Sequence, residues 1–206
     1  MDYPELAART RRFSCGAPRA VTVSSDGARV IFLRSSGPED PSDALWVFDV
    51  AARTERCLAD PATLLRDQPD LPPAERALRE RLRLSAGGIG SFALDGAGVL
   101  AVFALGGRLF RADLLTGDVD ELDTAGPVVD PRLDPTGRRI AYVTGGALRI
   151  IDENGHDSVL AGEEGVTWGL AEFIGAEEFH RFRGYWWSPD GRSVLTARVD
   201  ESRVPR

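Results

Sequence analysis

The chain has 206 residues and carries 25 basic against 32 acidic side chains, a formal net charge of −7. A hydrophobic fraction of 43% and a charged fraction of 28% indicate a globular chain that is long enough to bury a core. The acidic balance argues against a general nucleic-acid binder. Because every basic residue is arginine, a Walker A lysine, a Schiff-base lysine and a Ser–Lys catalytic pair are all excluded.

Other classes of protein are disfavoured by what the sequence lacks. No apolar run approaches the length of a membrane span, and the first residues, 1–5, do not resemble a secretory signal, so we expect a cytoplasmic protein with no membrane partner. Two cysteines and two widely spaced histidines are too few for a disulfide scaffold or a zinc site. We therefore expect neither a metal nor another cofactor, and no nucleic acid as a partner.

A short turn pattern recurs four times along the chain. Each copy ends in a turn glycine, preceded by Asp or Thr, and is followed by an alternating apolar run. The turns and their runs are 24–27 with 30–33, 94–96 with 99–102, 134–137 with 140–143, and 188–191 with 194–197. Asp-Gly and Thr-Gly supply the positive φ of a tight hairpin, and β-branched runs suit strands, so each copy predicts a hairpin.

A second strand pattern follows the first three hairpins, at 45–49, 108–113 and 148–152, and each copy leads into a further turn and a short strand. Each unit thus holds about four short strands, which is the pattern of a β-propeller blade. We predict an all-β fold over residues 1–206: a partial β-propeller of about four blade-like repeats, with short helical insertions.

The spacing of the repeats locates those insertions. Successive turn glycines are 69, 41 and 54 residues apart, and about 41 residues is a normal blade length. The excess residues should lie near 60–88 and near 163–183. Insertions in repeat folds map to loops on one face, often the functional face. We expect helix mainly within 72–84 and 170–181.

The first insertion predicts a helix over 72–84, because prolines open it and Glu–Arg pairs recur at i,i+4. Arg79 and Arg83 lie on one side of this helix. Two interpretations stay open: a solvated, charge-laced surface helix, or a helix that points an arginine at a ligand.

The second insertion contains adjacent carboxylates, Glu177 and Glu178, after a stretch in which Leu170, Phe173 and Ile174 could anchor one helical turn. A primary ammonium has three donors and no acceptor, so two carboxylates held at one place can satisfy it. The alternative is two solvated glutamates at a helix end. A divalent-ion site or a glycosidase pair is disfavoured because no third oxygen-ligand motif accompanies them.

Two further segments carry no ligand in our interpretation. The run 96–101 matches a dinucleotide-binding fingerprint, but it opens a strand and not a helix. The aromatic cluster Tyr185-Trp186-Trp187 is assigned to packing between blades. No Gly-x-Ser-x-Gly nucleophile elbow occurs, so we expect no catalytic residue in this chain and no peptide-bond hydrolysis by it.

Several of these motifs together resemble the propeller of dipeptidyl peptidase IV, in the bacterial branch of that prolyl oligopeptidase-type serine peptidase family. The matching segments, in order along the chain, are 8–13, 16–19, the arginine-rich helix after Pro73, 169–173, Glu177-Glu178 and 184–191. The resemblance implies that Glu177 and Glu178 grip the free N-terminal amine of a peptide substrate. It also implies that a helix arginine contacts the peptide carbonyls, with the register leaving Arg79 and Arg83 both open.

The chain departs from the family in extent. The family's propeller has eight blades and is followed by an α/β-hydrolase domain that carries Ser, Asp and His, whereas this sequence ends inside the fourth repeat. The resemblance therefore implies a substrate-gating propeller segment of a serine dipeptidyl exopeptidase that itself lacks the catalytic triad. Its implied partners are a peptide with a free N terminus and the C-terminal hydrolase domain of a full-length protein, with a homodimer of that protein left open. The alternative function is a stand-alone, non-enzymatic propeller that binds other molecules.

Overall fold

Strands dominate the structure, a computed structural model that describes residues 2–65 and 87–203. The strands of the first two blades are β1 (Arg19–Val23), β2 (Arg29–Ser35), β3 (Ser42–Asp49), β4 (Thr54–Ala59), β5 (Gly87–Gly88), β6 (Ala93–Leu94), β7 (Leu100–Leu105), β8 (Arg108–Asp113) and β9 (Val119–Leu122). Those of the last two are β10 (Val129–Leu133), β11 (Ile140–Thr144), β12 (Ala147–Ile151), β13 (Asp157–Ala161), β14 (Val166–Trp168), β15 (Tyr185–Trp187), β16 (Val194–Thr196) and β17 (Arg198–Asp200). The helices are α1 (Tyr3–Arg9), α2 (Pro61–Leu64) and α3 (Phe173–Glu177).

The first three repeats each form a four-stranded antiparallel meander, with strand orders β1-β2-β3-β4, β6-β7-β8-β9 and β10-β11-β12-β13. Short hairpins connect neighbouring strands, as the turn residues predicted. The fourth repeat supplies two further strand pairs, β15–β16 and β14–β17. The predicted partial β-propeller of four blade-like repeats is therefore confirmed.

One strand of the fourth blade is interrupted. Strands β16 and β17 are separated only by Ala197, yet they pair with two distant segments, β15 and β14. Ala197 joins the two ladders, because its N–H donates to the Gly184 carbonyl (2.7 Å) and its carbonyl accepts from the Gly169 N–H (3.0 Å). Hence β14 and β15 are two halves of one inner strand, and residues 170–183 are inserted between them. We call these residues the glutamate insertion.

In the turns that open the blades, side chains accept hydrogen bonds from the two backbone N–H groups after the turn. Two arrangements of side chains do this. In the first blade, the Ser24 hydroxyl and the Asp26 carboxylate each accept from one backbone N–H after the turn, at 2.9 Å. In the third blade, one oxygen of Asp134 accepts from both equivalent N–H groups, at 2.9 and 3.2 Å. Ser188 and Asp190 repeat the first arrangement, and Asp95 repeats the second.

The same turns touch one another from blade to blade. The Gly96 N–H donates to the Pro135 carbonyl at 3.0 Å, and the Ser25 hydroxyl donates to the Ala97 carbonyl at 2.7 Å. A Cβ on Gly96 would lie 2.6 Å from the Pro135 oxygen. The glycines of this segment, which resemble a dinucleotide fingerprint, are therefore explained by close packing between turns.

The core lies between consecutive blades. The first cluster joins blades one and two and includes a stacked pair, Phe103 and Phe110, with ring centroids 5.5 Å apart. Tyr142 is fully buried in the second cluster, and Tyr185 in the third. The inter-blade packing predicted for the aromatic cluster is confirmed for Tyr185 and for Trp187, which packs against the third cluster.

The face of the fourth blade that would pack against a following blade is exposed at Leu195. The glycine of positive φ in each opening turn is Gly27, Gly98 or Gly137, so in the second blade the turn glycine is Gly98 and not the predicted Gly96. The residue four positions after this glycine faces the following blade, and in the first three blades it is Ile31, Val102 and Ala141, each 0% exposed. The equivalent residue of the fourth blade, Leu195, is 71% exposed. An apolar residue at this repeat position is thus buried only where another blade packs on it.

The helices differ in part from those predicted. Helix α1 was not predicted, although Asp2 caps it by accepting from the Glu5 N–H at 3.0 Å. Within 170–181, only the five residues of α3 are helical. The predicted helix over 72–84 lies outside the described residues. Among the helices that the structure describes, none is long and apolar enough to cross a membrane.

Candidate functional site

The glutamate insertion leaves the fourth blade through a narrow neck. Its two ends, Gly169 and Gly184, lie so close that a Cβ on Gly184 would be 2.3 Å from the Gly169 carbonyl carbon. One edge of the inner strand is occupied by β16 and β17, and the described residues place no strand on the other edge. On that edge of β14 the Trp168 N–H donates to the Gly146 carbonyl at 2.7 Å. The innermost strand of a propeller blade lines the central channel, so the insertion emerges beside that channel.

Helix α3 rests on its smallest residues. Gly175 and Ala176 are buried, whereas Phe173 and Ile174 are 60% and 59% exposed. The prediction that Phe173 and Ile174 anchor this turn is therefore wrong. The physical reason is that small residues let the helix backbone lie directly against its support, which turns the large side chains outward.

Glu177 and Glu178 stand at the end of this helix, Glu177 as its last residue and Glu178 as its C-cap. The Glu178 N–H donates to the Ile174 carbonyl at 2.9 Å, which fixes the backbone that carries both side chains. Both residues are exposed, and neither carboxylate has a hydrogen bond or ion pair within the described part of the chain. Over the same residues, no third acidic, histidine or cysteine side chain joins them in a group that could hold a metal. Their charge is thus available to a cation such as a peptide ammonium.

A second adjacent glutamate pair, Glu163 and Glu164, differs from Glu177 and Glu178 because one of its carboxylates is bound by an arginine. Arg198 binds Glu163 through two hydrogen bonds, at 2.9 and 2.7 Å. These bonds lower the pKa of Glu163. This pair is therefore already partly neutralised, unlike Glu177 and Glu178.

An ion pair closes the glutamate insertion on itself. Arg181 binds Glu172, the residue before α3, and this hydrogen bond lowers the pKa of Glu172. The same guanidinium donates to the Arg183 carbonyl at 3.3 Å. This pair was not predicted from the sequence. The available signal was an oppositely charged pair that flanks the predicted helical turn.

A partly buried charge cluster lies beneath the neck. Arg132 binds Asp130 through both carboxylate oxygens, at 2.7 and 3.2 Å, and the Tyr185 hydroxyl donates to the Asp130 carbonyl at 2.6 Å. Burial raises the pKa of Asp130, with Arg132 acting in the opposite direction. Burial and the neighbouring Arg132 lower the pKa of Arg183. Arg132 binds Asp130 and Arg183 lies close to both, so neither arginine pairs with Glu177 or Glu178.

The return of the first insertion is fixed by an arginine that sequence analysis also missed. Strand β5 runs parallel to the start of β3, and Arg19 binds Asp43 at 2.6 Å while it donates to the carbonyls of Ile89 (3.0 Å) and Gly90 (3.1 Å). Arg19 occupies in the first blade the repeat position that Arg183 occupies in the fourth, five residues before the turn serine.

The points at which the two insertions return to the blades lie at one end of the propeller. The first returns just before β6 and the second just before β15, and each of these inner strands then runs to the end where the turns stack. Arg79 and Arg83, the other predicted site residues, lie outside the described residues. The described ends of the two insertions therefore lie at the same end of the blades.

Comparison with known proteins gives a family and a fold. A family model described as dipeptidyl peptidase IV (DPP IV) N-terminal region matches residues 104–206, half of the chain. The chain is similar over its full length to dipeptidyl peptidase 4 of Porphyromonas gingivalis, with a TM-score of 0.66 and 17% identity, and covers 28% of that protein. It is similar over 86% of its length to the tricorn protease, with a TM-score of 0.53 and 15% identity, and covers 15% of that protein. The chain thus spans less than a third of the length of either protein, and at these identities the likeness is one of fold.

Proposed function

The chain belongs to the family of dipeptidyl peptidase IV N-terminal regions, and from this premise we propose that it recognises peptides by their free N terminus. In this proposal it is the substrate-gating propeller segment of a dipeptidyl-peptidase-type serine exopeptidase. Glu177 and Glu178 bind the α-ammonium of the peptide. A catalytic α/β-hydrolase domain is the partner that would cleave the bound peptide.

The observation that carries the proposal is the pair of unpaired carboxylates at the end of α3. Glu177 and Glu178 are exposed, while the backbone beneath them is held by the buried Gly175 and Ala176. An ammonium offers three donors to such a pair, and charge-assisted hydrogen bonds are about twice as strong as neutral ones. An N-acetylated peptide has lost this charge, so the site should discriminate against it.

Anchoring the amine also explains how the segment would gate substrates. A peptide held by its N terminus at the mouth of the channel extends a fixed distance from the anchor. A nucleophile at a fixed position would then always meet the same peptide bond, which is the behaviour of an enzyme that releases dipeptides. In this proposal the insertion, which interrupts an inner strand of the fourth blade, lies beside the path by which a peptide enters.

The test is a titration of the ¹⁵N-labelled chain with the tripeptide Gly-Pro-Gly and with its N-acetylated form, followed by NMR. We expect the free peptide to shift the amide signals of Glu177 and Glu178, and the acetylated peptide to bind much more weakly. Each of Glu177→Gln and Glu178→Gln should weaken binding of the free peptide roughly 10- to 150-fold, since a hydrogen bond to a charged group contributes about 1.5–3 kcal/mol. Binding should also fall above about pH 8, where the α-amine loses its proton.

Glu164→Gln is the matched control, because it also removes one charge from an exposed adjacent glutamate pair. It should leave the affinity unchanged. Equal binding of the free and acetylated peptides, or full binding by the Glu177→Gln and Glu178→Gln variants, would overturn the proposal.

A further inference from the structure

One arginine connects three parts of the glutamate insertion. The Arg181 backbone N–H donates to the Gly175 carbonyl at 2.9 Å, inside α3. Its guanidinium binds Glu172, before the helix, and donates to the Arg183 carbonyl, after it, at 3.3 Å. The segments before, within and after the helical turn are therefore tied together by a single side chain and its own backbone.

The ion pair closes directly over the helix backbone. A Cβ on Gly175 would lie 2.5 Å from the Glu172 Oε1 atom and 2.7 Å from the Arg181 Nη2 atom. The absence of a side chain at Gly175 is what lets the two charged groups meet there. Gly175 precedes Glu177 by two residues, so the contact lies next to the carboxylates in the chain.

Little else holds this turn in place. Phe173, Ile174 and Phe179 are 60%, 59% and 76% exposed, so they contribute little packing. An isolated helix of five residues is not stable in water. Ala176 is buried, and the Glu172–Arg181 pair covers Gly175.

We propose that Arg181 is a positioning residue, which holds Glu177 and Glu178 in the geometry that receives a peptide ammonium. The inference rests on the function proposed above. With the pair intact, the two carboxylates are ordered before the peptide arrives. Without it, binding must also order the turn, and the affinity falls.

The experiment repeats the Gly-Pro-Gly titration with variants at this pair. Arg181→Met removes the charge and keeps much of the length, and it should weaken binding about 5- to 30-fold through the lost preorganisation of two side chains. Arg181→Lys, which keeps the charge, should recover part of that loss. The exchange Glu172→Arg with Arg181→Glu should recover part of it too, because it restores an ion pair across the turn.

The matched control is Arg108→Met, which breaks an exposed arginine–glutamate pair of the second blade. It should leave peptide binding unchanged. A second measurement reports on the geometry without any peptide: the Glu178 amide, bonded to the Ile174 carbonyl, should exchange with solvent faster in Arg181→Met. The midpoint of thermal unfolding should stay within a few degrees of the wild-type value.

If Arg181→Met binds the free peptide as tightly as the wild type does, and its Glu178 amide exchanges at the wild-type rate, the positioning role is refuted. If Arg181→Met does not fold, Gly175→Ala takes its place, since it keeps both charges but forces them apart, and it should show the same two effects. If the wild type itself does not distinguish free from acetylated peptide, the proposed function fails. The exchange rate of the Glu178 amide in Arg181→Met then tests the positioning role by itself, and an unchanged rate refutes that role.

Discussion

Gly184 and Gly169 lie backbone against backbone: a Cβ on Gly184 would be 2.3 Å from the carbonyl carbon of Gly169 and 2.3 Å from the Leu170 nitrogen. Ala197 bonds to both glycines from the neighbouring strand. The glutamate insertion can therefore leave a strand and return to it without breaking the ladder. The blade supports the insertion because its neck is this narrow.

Gly184→Ala should destabilise the chain by about 1–3 kcal/mol, because the added methyl group meets backbone that cannot move aside. Urea denaturation followed by circular dichroism measures this. Gly37→Ala is the control, since a Cβ there meets nothing within 4 Å and the backbone is not left-handed, and it should be neutral or slightly stabilising. Equal stability of the two variants would contradict the close backbone contact between Gly169 and Gly184.

Leu195→Ala and Ile31→Ala remove similar side chains from equivalent repeat positions with opposite exposure, 71% and 0%. We expect Ile31→Ala to cost about 2–5 kcal/mol because it leaves a cavity between two blades. Leu195→Ala should change the free energy of unfolding by less than about 0.5 kcal/mol. A large loss in Leu195→Ala would mean that its face is covered in solution.

Asp134 predicts a pH dependence of stability. Burial by itself would raise the pKa of this carboxyl, but hydrogen bonds from the Thr136 hydroxyl and two backbone N–H groups outweigh it and hold the pKa below its ordinary value. A lowered pKa in the folded state contributes stability above the unfolded value, near 4, that is lost as the pH falls. Stability should therefore decline below about pH 4.

The variant Asp134→Asn tests this dependence. It should be less stable than the wild type by about 1–3 kcal/mol at pH 7, and the difference should shrink towards pH 3, where the wild-type carboxyl begins to take up its proton. Asp120→Asn, at an exposed carboxylate, should have little effect at either pH. A difference between Asp134→Asn and the wild type that is the same at pH 3 and pH 7 would show that the charge plays no part.

Arg19→Met should loosen the point at which the first insertion returns to the propeller. The Ile89 N–H donates to the Asp43 carbonyl at 2.8 Å, and Arg19 holds both partners of that bond. We expect hydrogen exchange at Ile89 to accelerate at least tenfold, whereas an amide of the third blade such as Ala141 keeps its wild-type rate. Unchanged exchange at Ile89 would show that β5 is held without the arginine.

The blades could be predicted from the sequence because their signals are local. A hairpin needs a serine or aspartate to accept the N–H groups after the turn and a glycine for positive φ, all within about six residues. Ser24 to Arg29 and Asp134 to Arg139 meet these needs without help from the rest of the chain. Helix α1 was missed although its Asp2 cap and Pro4 were visible, because it is only seven residues long and buries none of them.

The site could be predicted only in part. The sequence contains two adjacent glutamate pairs, and their own residues do not distinguish them. Arg198, 35 residues further along the chain, binds the Glu163 carboxylate, whereas no described side chain binds the carboxylate of Glu177 or Glu178. The outward direction of Phe173 was mispredicted for a similar reason, since it depends on what lies beneath Gly175 and Ala176.

By itself, the sequence determined that this chain is a series of four blade-like hairpin repeats with excess residues at two places, because turns and alternating strands are encoded in consecutive residues. The tertiary structure alone decided that the second insertion interrupts one strand at Gly169 and Gly184, that Arg181 closes it, and that Arg19 holds the end of the first. Each of these contacts joins groups whose meeting depends on how the backbone folds back. Burial, pairing and exposure are properties of neighbours in space, and those neighbours come from other strands and other blades.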